Sequence, residues 1–431
     1  PGQVILGIMF DAYRARLYRL LRWSEQYAKT DMVYFATRNF WMNVNRASSV
    51  INGLVLSVAF ANLLTKEAYG TYAFALALMG LFSMPQTTAL ASGIGKGVAR
   101  GEDSIVLEGL RRIFPYSIAG ALALGAVGLY YLYMGNGTLA VCFVVGALVL
   151  PLSVTNSASK AVFAFKSEFE QMARFNLFRT PLMTLLLVTV AWLTHSALWI
   201  VVANILGGVL LGSLLYARMM KLYAIRRAVP GVEVYNGRYA FHTGLLSIFS
   251  YLSEQLDDIL LWKFLGAAPV AVYTYAIAPV RELRLLIENQ SSIALTKFAQ
   301  KSFENVRGNI MFRVRQMYII AVPLVVFYIL IAPFIFRHLF PQYMDAVLLS
   351  QFASLSLLSA PRRLINSAIS AHQRIKESYI MTIGPNIIRI ILAVIFIPVW
   401  GLWGAVGALL AAEVIDYMLL GILMQRVKKE L

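Results

Sequence analysis

An all-α integral membrane protein with about twelve transmembrane helices is expected from three properties of this chain. Its 431 residues are 59% hydrophobic and only 14% charged, with a mean hydropathy of +0.68, whereas soluble domains are about 45–50% apolar and about 25% charged. Apolar stretches of about 20 residues recur along it. Its basic residues fall in alternate connectors. These properties exclude a soluble enzyme, a disordered scaffold and a secreted disulfide module.

Each long apolar stretch is predicted as a transmembrane span, and the spans are numbered in chain order. They cover residues 39–64, 69–94, 113–134, 138–164, 175–194, 197–217, 239–265, 268–297, 315–337, 344–371, 378–398 and 401–424. Several connectors, such as 135–138 and 398–401, are very short, so neighbouring spans are expected to form antiparallel hairpins.

The net charge of +17 is distributed as in a membrane protein with both termini in the cytoplasm. The termini and the connectors after even-numbered spans hold nearly all Lys and Arg, whereas the opposite connectors hold only Lys66, Lys263 and Arg337. Positive residues accumulate on the cytoplasmic side of membrane proteins. We therefore expect a multi-pass protein of the cytoplasmic (inner) membrane, with membrane lipids rather than nucleic acid as its partners. The single cysteine, Cys142, permits no intrachain disulfide or zinc site.

Three regions are predicted along the chain. Residues 1–37 include a basic amphipathic stretch at 13–23, which favours a helix on the anionic inner surface of the membrane. Residues 38–225 form a first six-helix lobe, and residues 226–431 form a second.

The two lobes are predicted to be pseudo-symmetric copies of each other. From spans 4 and 10 onward, proline, asparagine, lysine and arginine residues match between the halves at one constant difference in residue number. Chance similarity of apolar helices would match mostly Leu, Val and Ala. The matched pairs include Pro151 and Pro361, Asn156 and Asn366, Lys166 and Lys376, Asn176 and Asn386, and Arg179 and Arg389. Parallel repeats of this kind place a central substrate site between the halves.

Span 7 carries a polar stripe within an arc of about 100° and over about 22 Å of helix axis. Its members are Thr243, Ser247, Ser250, Glu254, Asp257 and Asp258. An acidic side chain at the bilayer centre costs about 2.5 kcal/mol or more, so the stripe is expected to face a wet cavity or partner helices.

Further intramembrane charges lie on spans 1, 8, 11 and 12. Span 1 presents Asn43 and Arg46 on one face. The repeat superposes Arg46 on Ser247 and Ser57 on Asp258, so one half offers a cation where the other offers carboxylates. The others are Arg281, Arg284 and Glu288 on span 8, Arg389 on span 11, and Glu413 and Asp416 on span 12. A central cavity with these arginines suits a phosphate, whereas ion pairing such as Arg284–Glu288 needs no ligand.

A glycine-rich segment at 93–97 resembles a phosphate-binding loop only weakly. Lys96 is followed by Gly97 rather than Ser or Thr, and no strand precedes the segment. We interpret it as the inner end of span 2, with small residues that allow close helix packing. Without a nucleotide-binding module the chain is not expected to be an ATP-driven pump.

The segment Thr65-Lys-Glu-Ala-Tyr-Gly-Thr-Tyr72 resembles the polysaccharide-biosynthesis membrane proteins. These are the oligosaccharide (Wzx-like) flippases of the multidrug/oligosaccharidyl-lipid/polysaccharide (MOP) exporter superfamily. The resemblance extends through Gly93 to Gly101 and returns in 257–266 and at Val272-Tyr273. It covers nearly the whole chain after residue 30.

The resemblance implies a flippase without covalent chemistry or cofactor, in which two lobes form a V and open alternately to each side. It would carry a lipid-linked oligosaccharide, a polyprenyl pyrophosphate, from the inner to the outer leaflet, with polysaccharide-assembly proteins as possible partners and no implied oligomeric state. Asn43, Arg46, Arg281, Arg284 and Arg389 would bind the anionic head group. The acids Glu254, Asp257, Asp258 and Glu288 would bind H⁺ or Na⁺ or balance the arginines.

Two alternatives stay open from the sequence. The three carboxylates of span 7 depart from a purely anion-binding wall, which leaves room for a cation-coupled multidrug or metabolite antiporter of the same superfamily. A membrane glycosyl- or phospho-transferase is disfavoured because the connectors are short and carry no Asp/Glu-rich metal motif.

Overall fold

The computed structural model describes residues 22, 32–225, 235, 237–298, 303–361 and 375–429, with side chains for 22, 40–225, 235, 237–284, 315, 317–361 and 383–418. Regular structure within these residues is entirely helical. The α-helices are α1 Met32–Leu63, α2 Lys66–Ala99, α3 Ile105–Tyr133, α4 Gly137–Phe165, α5 Phe169–Thr194, α6 Ala197–Leu222, α7 Gly237–Leu265, α8 Ala267–Phe298, α9 Phe303–Leu339, α10 Val347–Ser354 and α11 Ile375–Lys429. Short 3₁₀ helices at Pro341–Ala346 and Leu355–Ser359 flank α10. The predicted segment 1–37 lies almost entirely outside the described residues.

Capping residues and glycines fix the tight connectors. The Thr65 hydroxyl accepts a hydrogen bond from the Ala68 amide at 3.2 Å and starts α2, and Asn136 does the same for the Leu139 amide at 3.1 Å at the start of α4. Gly135 and Gly266 end helices with positive φ. Gly401, with φ 57°, interrupts α11. The predicted hairpins at 135–138 and 398–401 therefore match real breaks in the backbone.

Eight stretches of the described chain are long and apolar enough to cross a membrane, which makes this a multi-pass membrane protein. They include all of the first six predicted spans, span 9, and one continuous stretch, Ile383–Met418, that covers spans 11 and 12. Helices α7 and α8 have 29 and 32 residues, but their described parts are not apolar enough to be included, because polar and charged residues interrupt them. Span 10 contains only α10 and 3₁₀ turns before the described residues stop at 361.

Buried apolar residues of the described chain form three clusters. In the first half, α2, α3, α4 and α6 surround two clusters of buried apolar residues, one around Phe143 and the other around Val162. In the second half, α8, α9, α10 and α11 surround a third cluster that contains Tyr275 and Phe336. The clusters also cross the division at 225, since Tyr235 and Ala240 belong to the cluster around Val162 and Ala61 belongs to the third.

The halves meet most closely along α2. A Cβ on Gly70 would stand only 1.9 Å from the Ala267 carbonyl oxygen at the start of α8, and one on Gly80 only 1.7 Å from the Tyr251 hydroxyl of α7. Glycine at 70 permits this close approach of two backbones, and glycine at 80 makes room for the tyrosine ring. Gly93, Gly95 and Gly97 likewise contact large side chains, which confirms that the segment 93–97 serves packing.

Contacts between the halves also gather at the end of the bundle where α1 leads into α2. Lys66 pairs with Asp345 at 2.7 Å. The Tyr275 hydroxyl donates to the Ser57 carbonyl at 2.9 Å, and its ring lies 4.6 Å from that of Tyr69. The motif that begins at Thr65 thus lies in the junction between the two halves.

Candidate functional site

A polar cavity of about 380 Å³ lies within the second half of the chain. Its walls come from α7, α8, the turn at Leu355–Ser359 and both parts of α11. Five acidic side chains and three arginines line it: Glu254, Asp257, Asp258, Glu413 and Asp416, with Arg281, Arg284 and Arg389. The three acids of the stripe predicted on span 7 therefore line a cavity, whereas its Thr243, Ser247 and Ser250 do not.

Asp257 is the most buried acid of the cavity, with 2% of its surface exposed. Its Oδ2 accepts a hydrogen bond from the Tyr273 hydroxyl at 2.6 Å and one from an Arg389 guanidinium nitrogen at 2.8 Å. These two bonds connect α7 to α8 and to α11. The other oxygen, Oδ1, has no hydrogen-bond partner among the described residues and stays available to a proton, a cation or water.

A second ion pair crosses the same cavity. Arg284 of α8 pairs with Glu413 of α11 and also donates to the Ser359 hydroxyl at 2.9 Å. The side chain of Glu288, the predicted partner of Arg284, lies outside the described residues. Both ion pairs join different helices, and since removing one partner of a buried pair costs about 3–5 kcal/mol, they fix the arrangement of α7, α8 and α11.

Arg281 differs from the other two arginines. Within the described part of the chain it has no ion-pair partner, and it lines both the polar cavity and a neighbouring apolar groove of about 540 Å³. The groove runs between α1, α8 and α9, with Val50, Leu54 and Phe327 among its walls. Arg281 thus stands at the point where a charged compartment meets an apolar one.

The predicted site residues on α1 lie apart from this cavity. Arg46 is half-buried and Asn43 is exposed, and neither lines the cavity or the groove. Their neighbour Asn45 accepts a hydrogen bond from Asn176 of α5 at 2.9 Å. The structure therefore brings together Glu254, Asp257, Asp258 and the three second-half arginines, and leaves Arg46 and Asn43 on the α1–α5 side.

Among the cavity residues that were not predicted site residues are two acids, a tyrosine and an asparagine: Glu413, Asp416, Tyr273 and Asn386. Sequence signals existed for all of them. Glu413 and Asp416 are intramembrane acids one turn apart, and Tyr273 and Asn386 are repeat-matched polar positions. The sequence did not reveal that span 12 contacts spans 7 and 8. That contact is seen only in the folded structure.

Comparison with known proteins assigns the chain to a family. A profile described as polysaccharide biosynthesis protein matches residues 59–348, about two thirds of the chain. The protein belongs to the polysaccharide biosynthesis protein family. No match was found among curated proteins.

Solved structures of MOP-superfamily transporters share its fold. An inward-facing multidrug resistance MATE family transporter superposes with a TM-score of 0.65 at 16% identity, over 88% of this chain and 96% of the other. The lipid II flippase MurJ, in an inward closed conformation, gives 0.69 at 15% identity, over 90% and 87%. A MOP transporter from Pyrococcus furiosus, reported with reverse polarity of its binding pocket, gives 0.59 at 15% identity, over 90% and 95%. This family member therefore has the MOP fold.

Proposed function

We propose that this protein is a flippase that carries a lipid-linked oligosaccharide from the inner to the outer leaflet by alternating access. The observation that carries the proposal is the position of Arg281 between the polar cavity and the apolar groove. A polyprenyl-pyrophosphate oligosaccharide has the same sequence of chemistries, with an apolar tail, an anionic junction and a polar glycan. A substrate without a tail would leave the groove without a role.

In this proposal the arginines hold the pyrophosphate. The planar guanidinium donates two parallel hydrogen bonds to phosphate oxygens, and Arg281 has no competing acid paired with it among the described residues. Arg284 and Arg389 already pair with Glu413 and Asp257, so a phosphate would have to compete with those carboxylates. Arg46 and Asn43 would contact the head group from α1, on the other side of the path.

Coupling is assigned to the acids. Because five acids line the cavity against three arginines, full ionisation leaves a net negative wall that attracts H⁺ or Na⁺. Glu254, Asp257 and Asp258 would bind that ion, and Glu288 would balance the α8 arginines. The Oδ1 of Asp257, for which the described residues provide no hydrogen-bond partner, supports this role. No organic cofactor and no covalent step is required.

We also propose twelve membrane spans in two six-helix lobes that form a V, in the cytoplasmic membrane, with both termini in the cytoplasm. The support comes from the eight apolar spans, the lengths of α7 and α8, the break at Gly401 and the one-sided distribution of Lys and Arg. The lobes would be 38–225 and 226–431, preceded by a membrane-surface segment 1–37. In Cys142→Ala protein, a cysteine at Gly135 should react with impermeant reagents from outside, and one at Ser167 only after permeabilisation.

The alternative is a cation-coupled multidrug or metabolite antiporter of the same superfamily. The acidic excess of the cavity favours it, since a cationic substrate could bind Glu254, Asp257 and Asp258 directly. The apolar groove argues for the flippase because a lipid tail can lie in it, although Glu282 beside Arg281 leaves its rim without a net positive charge.

The test uses purified protein in liposomes. A fluorescent polyprenyl-pyrophosphate oligosaccharide is placed in one leaflet, its arrival in the other is measured, and a cationic dye serves as the parallel cargo. Arg281→Gln should lower lipid flipping by about tenfold or more, the value of one charge-assisted contact. Arg111→Gln, an exposed arginine of α3 outside both cavities, is the matched control. Transport of the dye alone, lost in Asp257→Asn and kept in Arg281→Gln, would overturn the flippase in favour of the antiporter.

A further inference from the structure

A second apolar cavity, of about 720 Å³, lies between α2, α3 and α7. Its lining residues are apolar or glycine except for Gln86, Arg112, Tyr116 and Tyr235. We propose that it binds an anionic phospholipid, with the phosphate between Arg112 and the start of α7, the acyl chains along the apolar walls, and an ester carbonyl at Gln86.

Gln86 is the first argument for a ligand. Its side chain lines this cavity, only 4% of its surface is exposed, and neither its Nε2 nor its Oε1 has a hydrogen-bond partner among the described residues. A buried amide without partners is costly in an apolar site. A hydrocarbon chain alone cannot relieve that cost, whereas the ester carbonyl of a phospholipid can accept from Nε2.

The second argument is the basic character of one end of the cavity. Arg112 Nη1 lies 3.9 Å from where a Cβ on Gly237 would stand, so the guanidinium sits beside the first residue of α7. The N-terminal amides of a helix favour a phosphate, and the exposed Arg238 adds a further positive charge next to them. Arg112 pairs with Glu108, but that pair is solvent-exposed and exchangeable.

Tyr235 supplies a donor at the same end. Its ring fits against Gly93 and Gly109, and its hydroxyl is buried without a hydrogen-bond partner in the described part of the chain. Burial raises the pKa of Tyr235 to about 12. The hydroxyl therefore keeps its proton at neutral pH and can donate to a phosphate or glycerol oxygen.

This cavity is separate from the proposed substrate path. It shares no lining residue with the polar cavity or with the groove that holds Arg281. Under the repeat, spans 1, 8 and 9, which form the groove, correspond to spans 7, 2 and 3. The lipid cavity lies between these corresponding spans. Unlike the groove, it does not open on the acid–arginine cavity. A resident lipid, rather than the transported one, is the occupant that this geometry fits.

Native mass spectrometry and thermal unfolding of the full chain in detergent test the proposal. Phosphatidylglycerol should bind about tenfold more tightly than phosphatidylcholine with the same chains and should raise the melting temperature. Inorganic phosphate should produce no such shift. Arg112→Gln should remove the preference for phosphatidylglycerol, whereas the adjacent Arg111→Gln should keep it.

Gln86→Leu separates ligand binding from folding. It should weaken phosphatidylglycerol binding by several-fold, yet leave the melting temperature of the lipid-free protein unchanged or higher, because an unsatisfied amide is removed. Equal binding of the two lipids to the unaltered protein, or equal effects of Arg112→Gln and Arg111→Gln, would overturn the proposal. A lipid-free protein destabilised by Gln86→Leu would also overturn it, since the amide would then have a partner within the fold. No oligosaccharide is present in these measurements, so their failure leaves the flippase proposal intact.

Discussion

The two halves of the chain share a scaffold but differ in their chemistry. Asn176 in α5 and Asn386 in α11 are repeat-matched, and each donates a hydrogen bond to the first helix of its own half, to Asn45 at 2.9 Å and to Ser250 at 3.2 Å. The same helix pair is thus tied by the same residue in both halves. This agreement supports the duplication that the sequence matches predict.

Other matched positions have diverged. Tyr72 accepts a hydrogen bond from Asn204 at 2.9 Å, whereas Tyr273 donates to the carboxylate of Asp257. Arg389 pairs with that same carboxylate, whereas its counterpart Arg179 has no ion pair among the described residues; the Nε of each arginine is buried without a hydrogen-bond partner there. Arg179 instead lies close enough to Lys160 for the two charges to repel each other.

The two halves differ most in the positions of their acidic residues. In the first half they occur only near helix ends, at Glu67, Glu102, Asp103, Glu108, Glu168 and Glu170. In the second half five of them line a cavity. Among the described residues, the first half therefore has the partly buried Arg179 without an acid partner, whereas acids and arginines of the second half form a network of ion pairs. This difference fits the proposed anionic cargo and coupling cation.

The largest expected effect comes from removing the matched arginines. Arg389→Ala leaves Asp257 buried and unpaired, which should lower the free energy of unfolding by about 3–5 kcal/mol. Arg179→Ala removes a guanidinium for which no acid partner is described and should change it by about 1 kcal/mol or less. Thermal unfolding in the same detergent compares the two variants.

A double variant makes the comparison sharper. Asp257→Asn combined with Arg389→Gln removes both charges and should recover most of the stability lost in Arg389→Ala. If Arg389→Ala and Arg179→Ala destabilise equally, the ion pair does not distinguish the halves and the proposed asymmetry is wrong.

Sequence reasoning located most helices and the acidic stripe because both depend on local periodicity. Each of α1 to α9 overlaps one predicted span, although α3 begins at Ile105 rather than 113 and α9 at Phe303 rather than 315; Asp257 and Asp258 line the cavity as their helical spacing predicts. Sequence reasoning could not identify the partners in the ion pairs. Glu413, which pairs with Arg284, is 129 residues away along the chain, and no periodicity reports such a contact.

The placement of Arg46 shows the same limit. The repeat predicts the position of Arg46 along the span, but not which face of α1 packs on α5. In the structure the hydrogen bond between Asn45 and Asn176 orients that face. Packing decides which face of a helix contacts which neighbouring helix. The local sequence of the helix does not determine that choice.

The two matched tyrosines should give an intermediate effect. Tyr273→Phe removes a hydrogen bond to a carboxylate, worth about 1.5–3 kcal/mol, whereas Tyr72→Phe removes a neutral bond, worth about 0.5–1.5 kcal/mol. Phenylalanine keeps the ring and its packing in each case, so the difference in melting temperature measures the hydroxyl alone. A larger effect for Tyr72→Phe would contradict the assignment of Asp257 as the charged centre of the network.

The smallest effect is expected at the matched asparagines, where the halves agree. Asn176→Ala and Asn386→Ala each remove one neutral interhelical hydrogen bond, and such bonds in membrane proteins contribute about 0.6 kcal/mol on average. The two variants should therefore lower the melting temperature by similar, small amounts. Asn386 also lines the polar cavity, so its variant should in addition slow transport, whereas Asn176→Ala should not. Equal transport by both variants would assign Asn386 to the scaffold alone, and the functional difference between the halves would then depend on the charged residues.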